Sequence, residues 1–449
     1  MRTCNRAIFI SFFIFLFTCN CIVALEYQYG LNANYRLSDN ILESMPATSG
    51  SIVNTGFSFN LTEREHKDWF VQARGTFNHE EFSVDQVRSR NRKSFSGRFE
   101  YNPSSNNFSL IVLDELSEVP EDRFNAQSDL NVRETNVLSV IPSYVYNMSA
   151  LDRLNFRGNY VKTKNNGAQN GNQANQIINA SQESKSYCAE YERQLNSTNQ
   201  LFTIYSKTMV AFDSGNGIDY DLQNLLLRWV INGRATGVQL EFGRSEIEDV
   251  NSNVVGLNTY RATVRRIINS SHSFVIDIRK AFDSEIETNS VNNSVDIGDA
   301  ANNLIRAQII KSSNLRYEIN TESLVASVSI FQNETRDAVG ISQEEQVGYT
   351  GSLSYPISRL FFGNDRSQLQ LNFSDSKNTF DSNTNNFQAF ENRVRLQELI
   401  YSHNYNDKLS FYLVIQNQEL SGGRLNSGSL QGDSKSISIG FNYSSNNTN

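Results

Sequence analysis

Apolar and polar residues alternate along this chain. In EYQYGLNANYRL (Glu26 to Leu37), Tyr27, Tyr29, Leu31, Ala33, Tyr35 and Leu37 share one parity. Glu26, Gln28, Gly30, Asn32, Asn34 and Arg36 share the other. Successive side chains of a β-strand point to opposite faces, so this stretch reads as a strand with one greasy face and one wet face. The period returns in VNTGFSFNL, WFVQARGTF, SFSGRFEY, NVLSVIPSYVY, TGVQLEFG, NTYRATVRR, SHSFVIDIRK, QVGYTGSLSY, SQLQLNF, KLSFYLVIQ and KSISIGFNY. Segments of this kind, about ten residues each and separated by turn residues, are the signature of a transmembrane β-barrel.

The connections alternate in length. Short polar turns are expected at 62–68, 101–107, 147–153, 195–199, 231–237, 268–273, 319–323, 356–367 and 405–408. Mostly longer connections lie between them, among them Asn165 to Gln182 and Asp375 to Gln388, both rich in Asn. Short turns on one side and long loops on the other is the bacterial outer-membrane arrangement. Asn302 to Asn320 reads as one strand, because Ile305, Ala307, Ile309, Leu315, Tyr317 and Ile319 keep one parity; a turn at KSSN would make it two. The pattern predicts a single all-β domain: a transmembrane antiparallel up-and-down barrel of about 20 strands, within a range of about 18–22.

Composition agrees. Hydrophobic residues make up 39% of the 449, aromatics 11%, and only 5 are Pro. From Leu25 onward no apolar run is long enough for a membrane helix. A soluble β-sandwich also alternates, but its turns are usually richer in Pro and Gly. Aromatics also crowd the expected strand ends at Tyr101, Tyr146, Tyr160, Phe361, Phe362, Tyr405 and Tyr443, as an interfacial girdle would.

Residues 1–24 read as a signal peptide, with Arg2 and Arg6 ahead of the apolar core AIFISFFIFLF and a cleavage point after Ala24. Lipidation at Cys19 and an uncleaved anchor are the other readings. Residues 25–449 form the barrel. Only Cys188 lies beyond the Cys4, Cys19 and Cys21 group, so no internal disulfide and no cysteine metal site is expected. Loss of Arg2 and Arg6 takes the formal charge from −8 to −10, which argues against nucleic acid as a partner.

The stretch YRLSDNILES, with Ser38, Asp39 and Asn40, resembles the start of a family of bacterial outer-membrane β-barrel porins associated with exopolysaccharide and exosortase (PEP-CTERM) systems. The segment from LDELSEVPEDR through NVRETNVLSVIPSYVY to NFRGNY is similar to that family's acidic loop, its approach to a strand and its Pro-x-Tyr strand. The resemblance implies an outer-membrane location and a link to polysaccharide-export components, and no catalytic residue. Such barrels often end on an aromatic; here Tyr443 is followed by SSNNTN.

If Leu227, Trp229 and Ile231 face lipid, Arg228 faces a lumen. By the same parity so do Arg261, Arg265, Arg279, Arg306 and Arg316, with the acids Glu241, Asp277 and Glu318. These are the candidate pore-lining residues. Such a stripe either favours anions through focused field or closes the wall with ion pairs. The acidic stretch Asp114, Glu115, Glu118, Glu121 and Asp122 reads as a loop that folds toward this stripe, binds divalent cations beside lipopolysaccharide, or is merely solvated. Asp283 to Asn289 and Ser245 to Asn253 share that ambiguity, and none has calcium-loop spacing.

No cofactor or metal is expected. An enzyme would need a nucleophile, base and orienting group in contact. His66 falls in an expected turn and His79 in a loop, while His272 and His403 fall near the expected periplasmic ends, so none is assigned a catalytic role. The expected function is passage or assisted export of polar solutes or exopolysaccharide. The rival is a structural or adhesive barrel with a closed lumen and Asn-rich binding loops. Outer-membrane lipid and lipopolysaccharide are the expected surroundings, and a homo-oligomer is compatible with the sequence.

Overall fold

The computed structural model describes residues 25–41, 47–63, 67–84, 89–103, 107–120, 132–166, 181–213, 219–249, 254–282, 308–321, 323–337, 342–357, 367–382, 390–422 and 432–447. They form twenty strands. These are β1 (Leu25–Ser38), β2 (Gly50–Glu63), β3 (Trp69–Phe82), β4 (Arg90–Tyr101), β5 (Phe108–Pro120), β6 (Val132–Asn147), β7 (Asp152–Asn166), β8 (Gln182–Gln194), β9 (Asn199–Phe212) and β10 (Tyr220–Asn232). The second half comprises β11 (Thr236–Asp249), β12 (Val254–Asn269), β13 (His272–Phe282), β14 (Gln308–Asn320), β15 (Val325–Asp337), β16 (Ser342–Pro356), β17 (Ser367–Ser382), β18 (Phe390–Asn404), β19 (Leu409–Gly422) and β20 (Gly432–Asn447). Each strand pairs antiparallel with its neighbours in the chain, and β1 pairs with β20, so the sheet closes on itself. Among the described residues there is no helix.

Closure follows from the alternation. A ribbon with one apolar face and no free edge satisfies every backbone group while keeping that face in one continuous surface. The register carries Tyr29 onto Phe59, Leu31 onto Phe57 and, across the seam, Ala33 onto Phe441. The two faces differ in crowding as a cylinder requires. The polar set is packed: Thr208 and Thr135 are each 1% exposed. The apolar set is spread: Tyr187 is 60% and Phe242 57% exposed. Side chains converge on a concave wall and diverge on a convex one, so the polar face lines the interior. Ten residue steps from Tyr27 to Leu37, at ~3.3 Å each and tilted ~40°, give an apolar height of about 25 Å, the usual band of such barrels.

The nine short connections, all expected from the sequence, gather at one end. Toward the other end the outer face turns from apolar to charged. Lys162 and Lys185 flank Glu183 at 3.6 and 2.9 Å, Lys207 meets Asp221 at 2.7 Å, Lys311 meets Glu334 at 3.0 Å, and Lys377 meets Glu391 at 2.9 Å. An Arg or Lys on the lipid face of a barrel costs about 2–4 kcal/mol at the bilayer midplane and almost nothing at its edge. This collar therefore marks the upper edge of the apolar band.

The seam explains the Ser-Asp-Asn motif. Ser38 Oγ lies 3.1 Å from Ser434 Oγ, and Asn40 Nδ2 donates to the Asp433 carbonyl at 3.3 Å. The Asp39 N–H donates to the Lys435 carbonyl at 3.1 Å. Asn40 is 1% exposed. The three residues clasp β1 to β20 at the long-loop end.

Three stretches expected as loops are strand. Asp114, Glu115 and Glu118 belong to β5, not to a loop; Glu121 and Asp122 lie outside the described residues. The pairing of Val112 with Val140 and of Leu116 with Asn136 carries the ladder through the acids, and Asn136 Nδ2 donates to Asp114 at 3.1 Å. Likewise Asp375 to Ser382 extends β17, and Ser245 to Asp249 extends β11. Strands β11 and β17 carry their acids on beyond the apolar stretch, whereas Asp114 stands between Val112 and Leu116 on the outer face and is held there by Asn136. The segment Asp283 to Asn289 and the signal-peptide reading fall outside the described residues. The region 308–320 is one strand, as its parity predicts.

Candidate functional site

One interior row gathers the arginines. Cross-strand pairing runs Phe202, Arg228, Glu241, Arg261, Arg279 and Ser312, one residue per strand from β9 to β14. Their common parity is the packed interior one. Arg265, Asp277, Arg316 and Glu318 lie on the same face in neighbouring rows. Arg306 lies outside the described residues.

The row is largely ion-paired. Arg228 Nε donates to Glu241 at 2.6 Å, and its Nη1 lies 3.6 Å from Glu190. Its guanidinium also sits 5.9 Å from the Phe202 ring centroid. Glu190 was missed by the sequence reading. It stands on β8 opposite Ile204 and reaches Arg228 over the intervening β9. Arg316 pairs with Glu318 at 2.8 Å, and Arg279 donates to Ser312 at 3.0 Å. Arg261 and Arg279 face each other directly, a repulsive placement that Asp277 offsets from the adjacent row. Arg261 is held loosely: its nearest approach to Asp277 is 3.4 Å, and Asp277 accepts the Thr263 hydroxyl at 2.6 Å.

Beside this row lies a hollow of about 50 Å³. Its lining is mixed: Ile204, Leu226 and Phe282 are apolar, Ser206, Asn224 and Thr259 polar, and Arg228, Glu241, Arg261 and Lys280 charged. An apolar cluster of Val210, Tyr220, Leu222, Ile247 and Phe282 sits toward the long-loop end, inside the wall. Gly243 makes that wall close. A Cβ there would fall 2.1 Å from the Leu225 carbonyl oxygen, so no side chain fits.

The opposite arc is chemically different. From β15 to β17 the interior is built of neutral pairs, including Ser327 with Ser352 at 2.8 Å and Asn333 with Gln346 at 3.3 Å. A larger cavity of about 440 Å³ opens along β1 to β5, lined by Gln28, Ser58, Asn60, Arg74, Thr76 and Glu115.

The histidines that are described make ordinary polar contacts, and His79 lies in β3, not in the expected loop. His79 lies 2.8 Å from Asn91 Oδ1, His272 2.7 Å from the Tyr317 hydroxyl, and His403 2.7 Å from Ser367 Oγ. Ser367 is buried, which leaves its hydroxyl closed to a substrate. His66 lies outside the described residues, and among those described no cluster of His, Cys, Asp and Glu could hold a metal.

No family model matches the chain, and no curated protein matches it. Its fold is shared with solved barrels. The siderophore receptor PirA from Pseudomonas aeruginosa aligns with a TM-score of 0.50 at 11% identity, over 93% of this chain and 80% of that one. The FrpB iron transporter from Neisseria meningitidis aligns at 0.52 and 10% identity, over 94% and 81%. The ferric enterobactin receptor PfeA from Pseudomonas aeruginosa aligns at 0.52 and 10%, over 94% and 80%. Identities this low establish the common architecture.

Proposed function

We propose that the protein is an outer-membrane channel that passes polar solutes across the bilayer. The observation that carries this reading is the closed barrel with an apolar exterior about 25 Å tall and a hydrogen-bonding interior. The fold it shares with a siderophore receptor and an iron transporter supports a transport role. The ion-paired collar suits the headgroup region of the outer leaflet, with lipopolysaccharide as neighbour. The neutral amide and hydroxyl arc suits uncharged polar solutes, glycans among them. On this reading, and on the resemblance of YRLSDNILES to exopolysaccharide-associated porins, partners in polysaccharide export are proposed as well. A gene neighbourhood with polysaccharide polymerases or an exosortase would support that last step.

The paired arginine row favours a second reading, in which the wall is a structural seal and the loops are the working part. Liposome swelling separates the two. Uptake of small neutral sugars is expected of a channel, and no swelling at any solute size is expected of a sealed barrel. In planar bilayers, Arg261→Ala/Arg265→Ala is expected to shift the K⁺/Cl⁻ permeability ratio toward K⁺. An unchanged ratio would remove the electrostatic role of these two residues.

A further inference from the structure

We propose that the hollow beside Thr259 and Arg261 is a subsite for the carboxylate of a small solute that also carries an apolar edge. The inference depends on the channel reading, because it is a solute entering the lumen that would meet this wall.

Several observations converge there. Thr259 is 7% exposed, and its Oγ1 has no hydrogen-bond partner among the described residues. Arg261 Nε is likewise buried without a hydrogen bond, its ion-pair partner Asp277 standing 3.4 Å away. The two stand two residues apart on β12, so both point to the same side. Their groups are a hydroxyl that can donate and a guanidinium whose contact with Asp277 is no closer than 3.4 Å. Arg228, by contrast, is neutralised by Glu241. Arg261 is therefore the more loosely paired of the two arginines, at 3.4 Å against 2.6 Å.

The size and the walls set the ligand class. At roughly 10–15 Å³ of such volume per water, the hollow holds a few waters or a single carboxylate, not a whole solute. Ile204, Leu226 and Phe282 supply apolar lining, which suits a hydrocarbon edge and strengthens the polar contacts by lowering the local dielectric. Glu241 lines the same hollow and opposes a dianion such as phosphate more strongly than a monoanion. A neutral analogue would lack the charge that Arg261 answers.

The test uses the full chain refolded in detergent micelles, with benzoate as probe and benzamide as its neutral counterpart. Saturation-transfer NMR measures binding without any membrane. Saturable benzoate binding is expected, with benzamide silent. Thr259→Val and Arg261→Gln should each weaken benzoate about tenfold, as loss of a hydrogen bond to a charged group does. Arg74→Gln, on the far arc, should leave it unchanged. A heat-dependent shift in gel migration confirms each variant's fold, and if Arg261→Gln fails that check, Thr259→Val decides alone. Absence of saturable binding to the wild type, or equal affinity in wild type and the folded variants, overturns the subsite. Neither result bears on liposome swelling, and failed swelling leaves the benzoate measurement standing, so the two readings fail separately.

Discussion

The carboxylate of Asp39 accepts the backbone N–H of Lys435 at 2.6 Å, joining residues 396 positions apart. With Ser38 and Asn40 it fixes the register of the only pairing in the barrel that no turn helps to set.

Asp39→Ala should therefore loosen the seam. Asp39 is exposed, so the loss sits at the low end for such a bond, about 1 kcal/mol. The expected outcome is a lower temperature for the shift from folded to unfolded migration on gels, with Asp39→Asn in between. No change would mean the seam is held by the ladder alone.

Gly243 and Gly237 make a controlled pair on β11. A Cβ at Gly243 would collide with Leu225 and Leu226 backbone atoms at 2.1 and 2.8 Å, whereas one at Gly237 meets only the Ile231 carbonyl at 3.9 Å. Gly243→Val should abolish the heat-modifiable form or lower its yield severely. Gly237→Ala should refold like the wild type.

Arg228 and Glu241 suit a double-mutant cycle. Arg228→Met leaves Glu241, 9% exposed, without its main partner and should cost about 2 kcal/mol in urea unfolding. Adding Glu241→Leu should recover much of that loss. Additive losses would place the stabilisation elsewhere than in the pair.

On the outer face, Asp375 departs from the rule that most buried polar residues look inward. It is 7% exposed although it shares the parity of Leu371 and Phe373, and Arg393 grips it in a fork at 2.8 and 2.7 Å while Arg395 donates at 3.0 Å. Asp375→Ala would leave two guanidiniums side by side. Thermal stability should fall, and more at low salt than at high salt, because screening relieves their repulsion. A salt-independent loss would point to packing instead.

Nitroxides at Tyr29, Phe57 and Phe99, introduced through cysteine, should be accessible to oxygen dissolved in lipid and shielded from a water-soluble nickel relaxant. Labels at Asn32 and Ser58 should show the reverse. The registers that place Tyr29 on Phe59 and Asn32 on Gly56 require opposite faces for the two sets.

Much of this architecture was legible because a strand's two faces are written at period two. The faces of Tyr27 to Leu37, the inward parity of Arg228 and Arg261, and the short turns all follow from neighbours in sequence. What escaped depends on register between strands. Glu190 meets Arg228 across a third strand, and no periodicity announces that. The acids Asp114, Glu115 and Glu118 suggested a loop because carboxylates usually end an apolar ladder; here Asn136 and the pairing with β6 keep them in it. Ser38, Asp39 and Asn40 were visible as a motif, but their work at the seam needs Ser434 and Lys435 from the far end of the chain.

The seam also dictates an order of events during biogenesis. The earliest strand to leave the ribosome has its second partner among the latest, so for nearly the whole of translation and transit its outer edge stays unmatched. An unmatched edge recruits any other strand it meets. The hoop can therefore shut only after its last stave has arrived.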